Sequence, residues 1–161
     1  MLKNLDLKNK VLPHVLVIVS FVLISYGFLQ PAMEGKILKQ GDIIQYKGAA
    51  RSIEDYNEKT GETALWTNAL FSGMPSFQIR MISDNNIYKY IHHTLGLGIP
   101  RPMGLLFIGF VGFYLLMVVL GIHPSIGALG SIAYGLSTYT IVILEAGHNT
   151  KILAMAYLPM V

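Results

Sequence analysis

The sequence contains no cysteine, which excludes disulfides and thiolate metal sites. Charge is scarce too: Asp, Glu, Lys and Arg make up 13% of the 161 residues, against roughly 25% in an ordinary soluble domain. The net charge of +3 is spread along the chain. No Lys/Arg-rich block offers a footprint for nucleic acid, so nucleic-acid binding has no support. There is no glycine-rich phosphate loop, no pair of histidines at metal spacing and no nucleophile set beside a base. What abounds is apolar: 53% of residues are hydrophobic and the mean hydropathy is +0.51.

A bilayer's hydrocarbon core, about 30 Å thick, takes roughly 20 apolar residues of helix to cross. Residues 11–29, 103–122 and 126–144 form three runs of 19, 20 and 19 residues with no formal charge. A fourth apolar stretch occupies 152–161 and is read as the start of a further transmembrane helix, the chain being the N-terminal piece of a longer polytopic protein. The first run exceeds the roughly 7–15 residues of a signal-peptide core, and no small-x-small cleavage site follows it, so it reads as a retained signal anchor.

Lysine and arginine collect on the cytoplasmic side of membrane helices. The leader, residues 1–10, sets Lys3, Lys8 and Lys10 against Asp6 and is assigned inside. Segment 30–102 is then outside, with eight basic and seven acidic residues. Residues 123–125 form an inside turn, and the polar segment 145–151 is outside again. Two polar segments should therefore meet at one water-facing surface. The expected fold is all-α: a polytopic membrane helix bundle whose long extracytoplasmic first loop contains short surface helices.

That loop is too long for a plain connector and should carry structure. A short helix is expected after Asp42, a polar helix in "RSIEDYNEKTGE" with a stop at Thr60-Gly61, and a break at Gly73-Met74-Pro75. "SDNNIYKYIHHTLGLG" has a Ser/Asp/Asn start and places Ile87, Tyr90, Ile91 and Leu95 on one helical face, as in a helix lying on a membrane surface. Adjacent His92 and His93 point to different sides of a helix and make a poor metal pair. Glu54, Asp55, Glu58 and Glu62 read as a solvated face. Asp42 stands apart, as the one acid between Lys36 and Arg51. Its carboxylate suits a helix cap as well as a site.

In "EAGHNTK", Glu145, His148, Asn149 and Lys151 fall within seven positions. Ionisable groups near membrane depth are costly and usually line a protein interior or a wet cavity. His148 offers an imidazole for acid or base work, and His148 and Lys151 both donate to anions. A polar interfacial turn, with Gly147 ending a helix and Lys151 snorkelling, accounts for the same residues. The glycines of the apolar runs, Gly127, Gly130 and Gly135 among them, allow helices close approach.

Taken in order, the charged leader, the anchor, "GDIIQYKG" (41–48), "LWTNALFSGMP" (65–75) and "AGHNTKILAMAYLP" (146–159) resemble the start of the YfhO family of bacterial membrane proteins. That family is similar to the GT-C superfamily of polytopic glycosyltransferases, which take sugars from polyprenyl-phosphate carriers outside the cytoplasmic membrane. The likeness implies a GT-C-like bundle in the bacterial inner membrane, a polyprenyl-phosphate sugar donor, and an envelope polymer or lipid as acceptor. It also implies Asp42 as the catalytic general base. Gln45, Tyr46, Arg51, Glu145, His148, Asn149 and Lys151 would contact substrate, with His148 and Lys151, beside Arg51 or Lys47, facing the phosphate. Some GT-C enzymes use a divalent metal and others do not; Asn149, where the family has Asp, leans towards no metal here, and no other cofactor is expected. Two other classes remain open: a transporter or flippase using the polar cluster, and a non-catalytic membrane scaffold.

Overall fold

The computed structural model describes residues 10–36, 38–80 and 87–161. Most of the leader and the Ser83-Asp84-Asn85 start signal lie outside the described residues.

Helix α1 (Leu12–Phe28) opens with Pro13, whose missing N–H has no helical partner to lose in the first turn. A single turn, α2 (Gln30–Met33), follows. Four helices form the second half: α5 (Met103–Val119), α6 (Pro124–Gly135), α7 (Thr138–Ala146) and α8 (Asn149–Tyr157), the last ending in a 3₁₀ turn, Leu158–Met160. α5 is the centre, buried from Met103 to Phe110, and packs against α1, α6 and α8.

Small residues and aromatic rings interlock around α5. Phe21 of α1 meets Phe110 at 5.3 Å between ring centres and Tyr114 edge-on at 5.6 Å. His14 Nδ1 shares a 2.8 Å hydrogen bond with the Tyr114 hydroxyl. A β-carbon on Gly135 would strike the Phe110 ring, and one on Gly112 would strike the Ala156 carbonyl. At Gly127 it would lie 3.1 Å from Met117 and 3.2 Å from the Tyr114 ring. These glycines let the backbones close up, as the sequence suggests. The outer faces stay apolar: Leu16, Leu23, Val119, Ile126 and Leu129 are all more than half exposed.

The run 126–144, expected as one helix, is two. α6 and α7 meet at a 46° bend around Leu136 and Ser137. The Ser137 hydroxyl accepts from the Thr140 N–H at 3.4 Å and caps α7. A serine that bonds the following backbone offers an alternative to continuing the helix. Among the described residues no single helix is long and apolar enough to cross a membrane. α1 and α5 have 17 residues each, and α6 with α7 reaches the length only as a bent pair.

Between the two halves lies a distinct subassembly. Helix α3 (Gly41–Thr60) is one continuous element of 20 residues, where two shorter helices are expected. It stops at Gly61 in the left-handed conformation, φ 71°, where the Thr60-Gly61 signal predicts an end. Strands β1 (Trp66–Thr67) and β2 (Met74–Pro75) form a small antiparallel hairpin, Trp66 opposite Pro75 and Thr67 opposite Met74. A 3₁₀ turn, Ser76–Gln78, follows. The hairpin is lashed to α3. Ser52 and Thr67 hydroxyls lie 3.0 Å apart, Asn57 Oδ1 accepts from the Ala64 N–H at 2.7 Å, and Glu54 pairs with Arg80. Glu54 therefore does not belong to a merely solvated face. Helix α4 (Tyr88–Leu95) buries none of its residues, but the His92 ring stacks on Tyr157 of the last helix at 5.4 Å and hydrogen-bonds its hydroxyl.

Candidate functional site

The first turn of α3 meets the hairpin of helices α7 and α8. Gly147 makes that approach possible. It ends α7 with φ +101°, and a β-carbon there would stand 3.0 Å from Gln40 Cβ and 3.1 Å from Ile43 Cγ1. Its N–H and that of His148 both reach the Ile143 carbonyl, at 3.2 and 3.0 Å. The His148 carbonyl in turn accepts from Lys151 and Ile152 and starts α8. The turn is thus fixed by its own backbone, and His148 emerges in a defined place.

There it finds Asp42. His148 Nδ1 and Asp42 Oδ2 are 3.0 Å apart, both side chains about half exposed. The helix-cap reading of Asp42 is corrected by this contact. Gln40 holds the N-cap position without a side-chain cap bond, and Asp42 sits in the first turn with its carboxylate directed to the imidazole. An acid in that turn also complements the helix dipole. Beside this pair, Gln40 Nε2 donates to the Leu144 carbonyl at 2.7 Å and to Asn149 Oδ1 at 3.4 Å. A polar seam, Gln40–Asn149 and Asp42–His148, therefore joins the two segments.

Helical spacing decides which neighbours share the Asp42 face. Positions 42, 45, 46 and 49 follow the i, i+3, i+4, i+7 pattern of one stripe. Asp42, Gln45, Tyr46 and Ala49 line one wall of an open groove of about 750 Å³, and Leu70 and Gln78 of the hairpin segment stand on the other. Arg51 is nine residues from Asp42, two and a half turns at about 3.6 residues per turn. It lies on the opposite side of α3, exposed, and is not part of the groove wall. Lys47 lines a different cavity with Lys39 and Ile43.

Two members of the 145–151 cluster also stand away from the pair. The Lys151 ammonium lies 5.1 Å from the Tyr139 ring centre, back along α7, and pairs with no acid among the described residues. Glu145 is exposed, with no ion pair among the described residues. Of the expected substrate contacts, Gln45, Tyr46, His148 and Asn149 gather around Asp42, while Arg51, Glu145 and Lys151 do not. Among the described residues no group of three or more His, Asp or Glu side chains is placed to hold a metal ion.

Two residues of this surface carry no motif. Gln40 is visible only as the residue before Gly41-Asp42. Arg101, in "IPRPMG", reads as a connector between prolines, yet it lines two cavities at the start of α5. Comparison with family models, with characterised proteins and with solved structures finds no match to this chain.

Proposed function

We propose that this chain is the N-terminal part of an integral membrane glycosyltransferase of the GT-C type, taking a sugar from a polyprenyl-phosphate carrier and passing it to a hydroxyl of an envelope polymer or lipid. The observation that carries this reading is the Asp42–His148 pair at the wall of a groove lined by Gln45, Tyr46 and Gln78. Asp42, not His148, lines the groove, so Asp42 is the base and His148 its positioning partner. The order of motifs that resembles the YfhO family supports the same assignment.

In this reaction the acceptor hydroxyl oxygen forms a bond to the anomeric carbon. The bond from that carbon to the carrier phosphate breaks, and its electron pair leaves with the phosphate. The hydroxyl proton passes to Asp42, and the imidazole bonded to the carboxylate holds it in place. Gln45 and Tyr46 offer an amide and a phenol to sugar hydroxyls. The exposed apolar faces of α1, α5 and α6 support a bundle set in lipid, in a bacterial inner membrane, with α3 and its hairpin on the outer side. The bend at Ser137 favours a second reading, a transporter, because broken helices recur in transporters near substrate.

The test supplies the full-length protein, in membrane vesicles, with a polyprenyl-phosphate sugar. Wild type is expected to transfer or release the sugar, and Asp42→Asn, inserted in equal amount, to lose at least about a hundredfold. Equal turnover by both proteins overturns Asp42 as base. Movement of sugar-lipid across the membrane without turnover favours the transporter.

A further inference from the structure

Arg101 stands between two cavities. One, of about 220 Å³, is bordered by Lys89, His92 and His93 of α4. The other, of about 330 Å³, is bordered by Lys36, Gln40 and Asn149. Each is several times the roughly 30 Å³ that one water occupies in the liquid. Among the described residues no Asp or Glu lines either cavity. Lys36 is tied to Glu34 at 2.8 Å on the open surface, a pair of the kind worth little. The Arg101 guanidinium has no carboxylate and no side-chain hydrogen bond among the described residues.

The loop that carries Arg101 is held without using its side chain. Gly98 N–H donates to the His93 carbonyl, Ile99 N–H to the Gly96 carbonyl and Gly104 N–H to the Pro100 carbonyl, each at 2.9 Å. A β-carbon on Gly98 would lie 3.2 Å from His93 Cε1, so the His93 ring is seated against this backbone. A planar fork of five donors is therefore presented on a braced loop, exposed and with no side-chain partner among the described residues. That fork matches the oxygens of a phosphate in a bidentate way that a lysine does not.

The remaining walls are apolar. Ile99, Leu105 and Ile108 close the first cavity, and Leu38 and Pro102 border the second. A third cavity of about 220 Å³ shares Ala32, Lys36, Leu38 and Pro102 with the second and runs on to Phe28 and Leu29 at the end of α1. The basic place thus borders a hollow that is apolar but for Lys36 and Lys39.

We propose that Arg101, with His93 and Lys36 at its sides, forms a subsite for the phosphate of an isoprenoid or similar lipid phosphate whose chain runs towards the end of α1. This deepens the transferase reading and rests on it for the identity of the lipid. It replaces Lys151 as the partner of the leaving phosphate. Gln40 and Asn149, which border the second cavity, also form the seam beside the Asp42–His148 pair, so the subsite adjoins Asp42.

The experiment measures binding, with no turnover required, so its outcome and that of the Asp42 test are independent. The purified full-length protein in a neutral detergent is titrated with farnesyl phosphate, farnesol and inorganic phosphate by calorimetry. Farnesyl phosphate is expected to bind at least about tenfold tighter than farnesol. Arg101→Gln is expected to weaken it at least about tenfold, and Arg101→Lys to weaken it less. Arg51→Gln, which removes the same charge from the far side of α3, should stay within about twofold. These ratios correspond to one or more bidentate charged contacts. Unchanged binding by Arg101→Gln, an equal loss in Arg51→Gln, or farnesol binding as tightly as its phosphate would each overturn the subsite. Inorganic phosphate binding as tightly as farnesyl phosphate would overturn the lipid as its ligand.

Discussion

Replacing Gly147 with alanine tests whether the contact between α3 and the α7–α8 turn is held as described. Two costs add. A residue with a β-carbon in the left-handed region loses about 1–2 kcal/mol. The new methyl would also sit 3.0 Å from Gln40 Cβ and 3.1 Å from Ile43 Cγ1, so α3 must yield by a few tenths of an ångström. Together these predict a loss of about 2–3 kcal/mol, within the usual range for overpacking combined with backbone strain. For a chain of this length that lowers the melting temperature by roughly 4–12 °C. Gly121 supplies the internal control. It has φ +71°, and a β-carbon there meets nothing within 4 Å. Gly121→Ala should carry the backbone cost alone, about 1–2 kcal/mol. The assay is thermal unfolding of both variants and wild type in one detergent, with the His148 ring followed by NMR. Gly147→Ala is expected to melt below Gly121→Ala and to shift the His148 resonances, since its clash falls on the helix that carries Asp42. Equal melting of the two variants with an unmoved His148 would refute the close approach of α3 to this turn.

Ser25 is fully buried in α1 and its hydroxyl has no hydrogen-bond partner among the described residues. Ser25→Ala should therefore stabilise by about 1 kcal/mol, read as a rise in melting temperature, because an unpaired buried hydroxyl carries a desolvation penalty. A drop would mean that the hydroxyl is satisfied. Burial, and after it the Arg101 guanidinium, hold the His92 imidazole below its ordinary value. The unfolded chain then takes up a proton at higher pH than the folded one. Stability from this group is complete above about pH 6.5 and is lost as pH falls through that value towards the folded one. Melting curves across that range should show a steeper acid loss for wild type than for His92→Gln, and parallel curves would contradict the assignment.

Signals in the sequence that are short-range and unopposed agree with the fold. Residues 11–29 and 103–122 contain α1 and α5, and Thr60-Gly61 stops α3, because an uninterrupted apolar run and a glycine C-cap need no distant partner to be effective. The break at Ser137 was hidden by hydropathy. A serine and two threonines in nine greasy residues barely change an average, yet one hydroxyl on one amide, next to a Gly135 filled by the Phe110 ring, divides the helix. In the site, Asp42, Gln45, Tyr46, His148 and Asn149 were legible as polar residues in two segments expected on one surface. Arg51 and Lys151 stand away from the pair although they are near it in the chain. Half-integral turns carry Arg51 behind α3, and a long flexible stem carries the Lys151 charge back to Tyr139. Arg101 is not legible in the sequence, since the residues that share its cavities come from α2, α4 and α8, far apart in the chain.

The lashing of the hairpin along α3 has a mechanical consequence. The helix is about 30 Å long, bound to the core near its first turn and stiffened along its second half. It is an arm pivoted at the end that bears Asp42. A tilt of about 5° would carry the Gly61 end through roughly 2.5 Å over that length, while Asp42, beside the pivot, would move by about a tenth as much. Whatever tugs at the hairpin tip, the 3.0 Å contact between Asp42 and His148 is left nearly undisturbed.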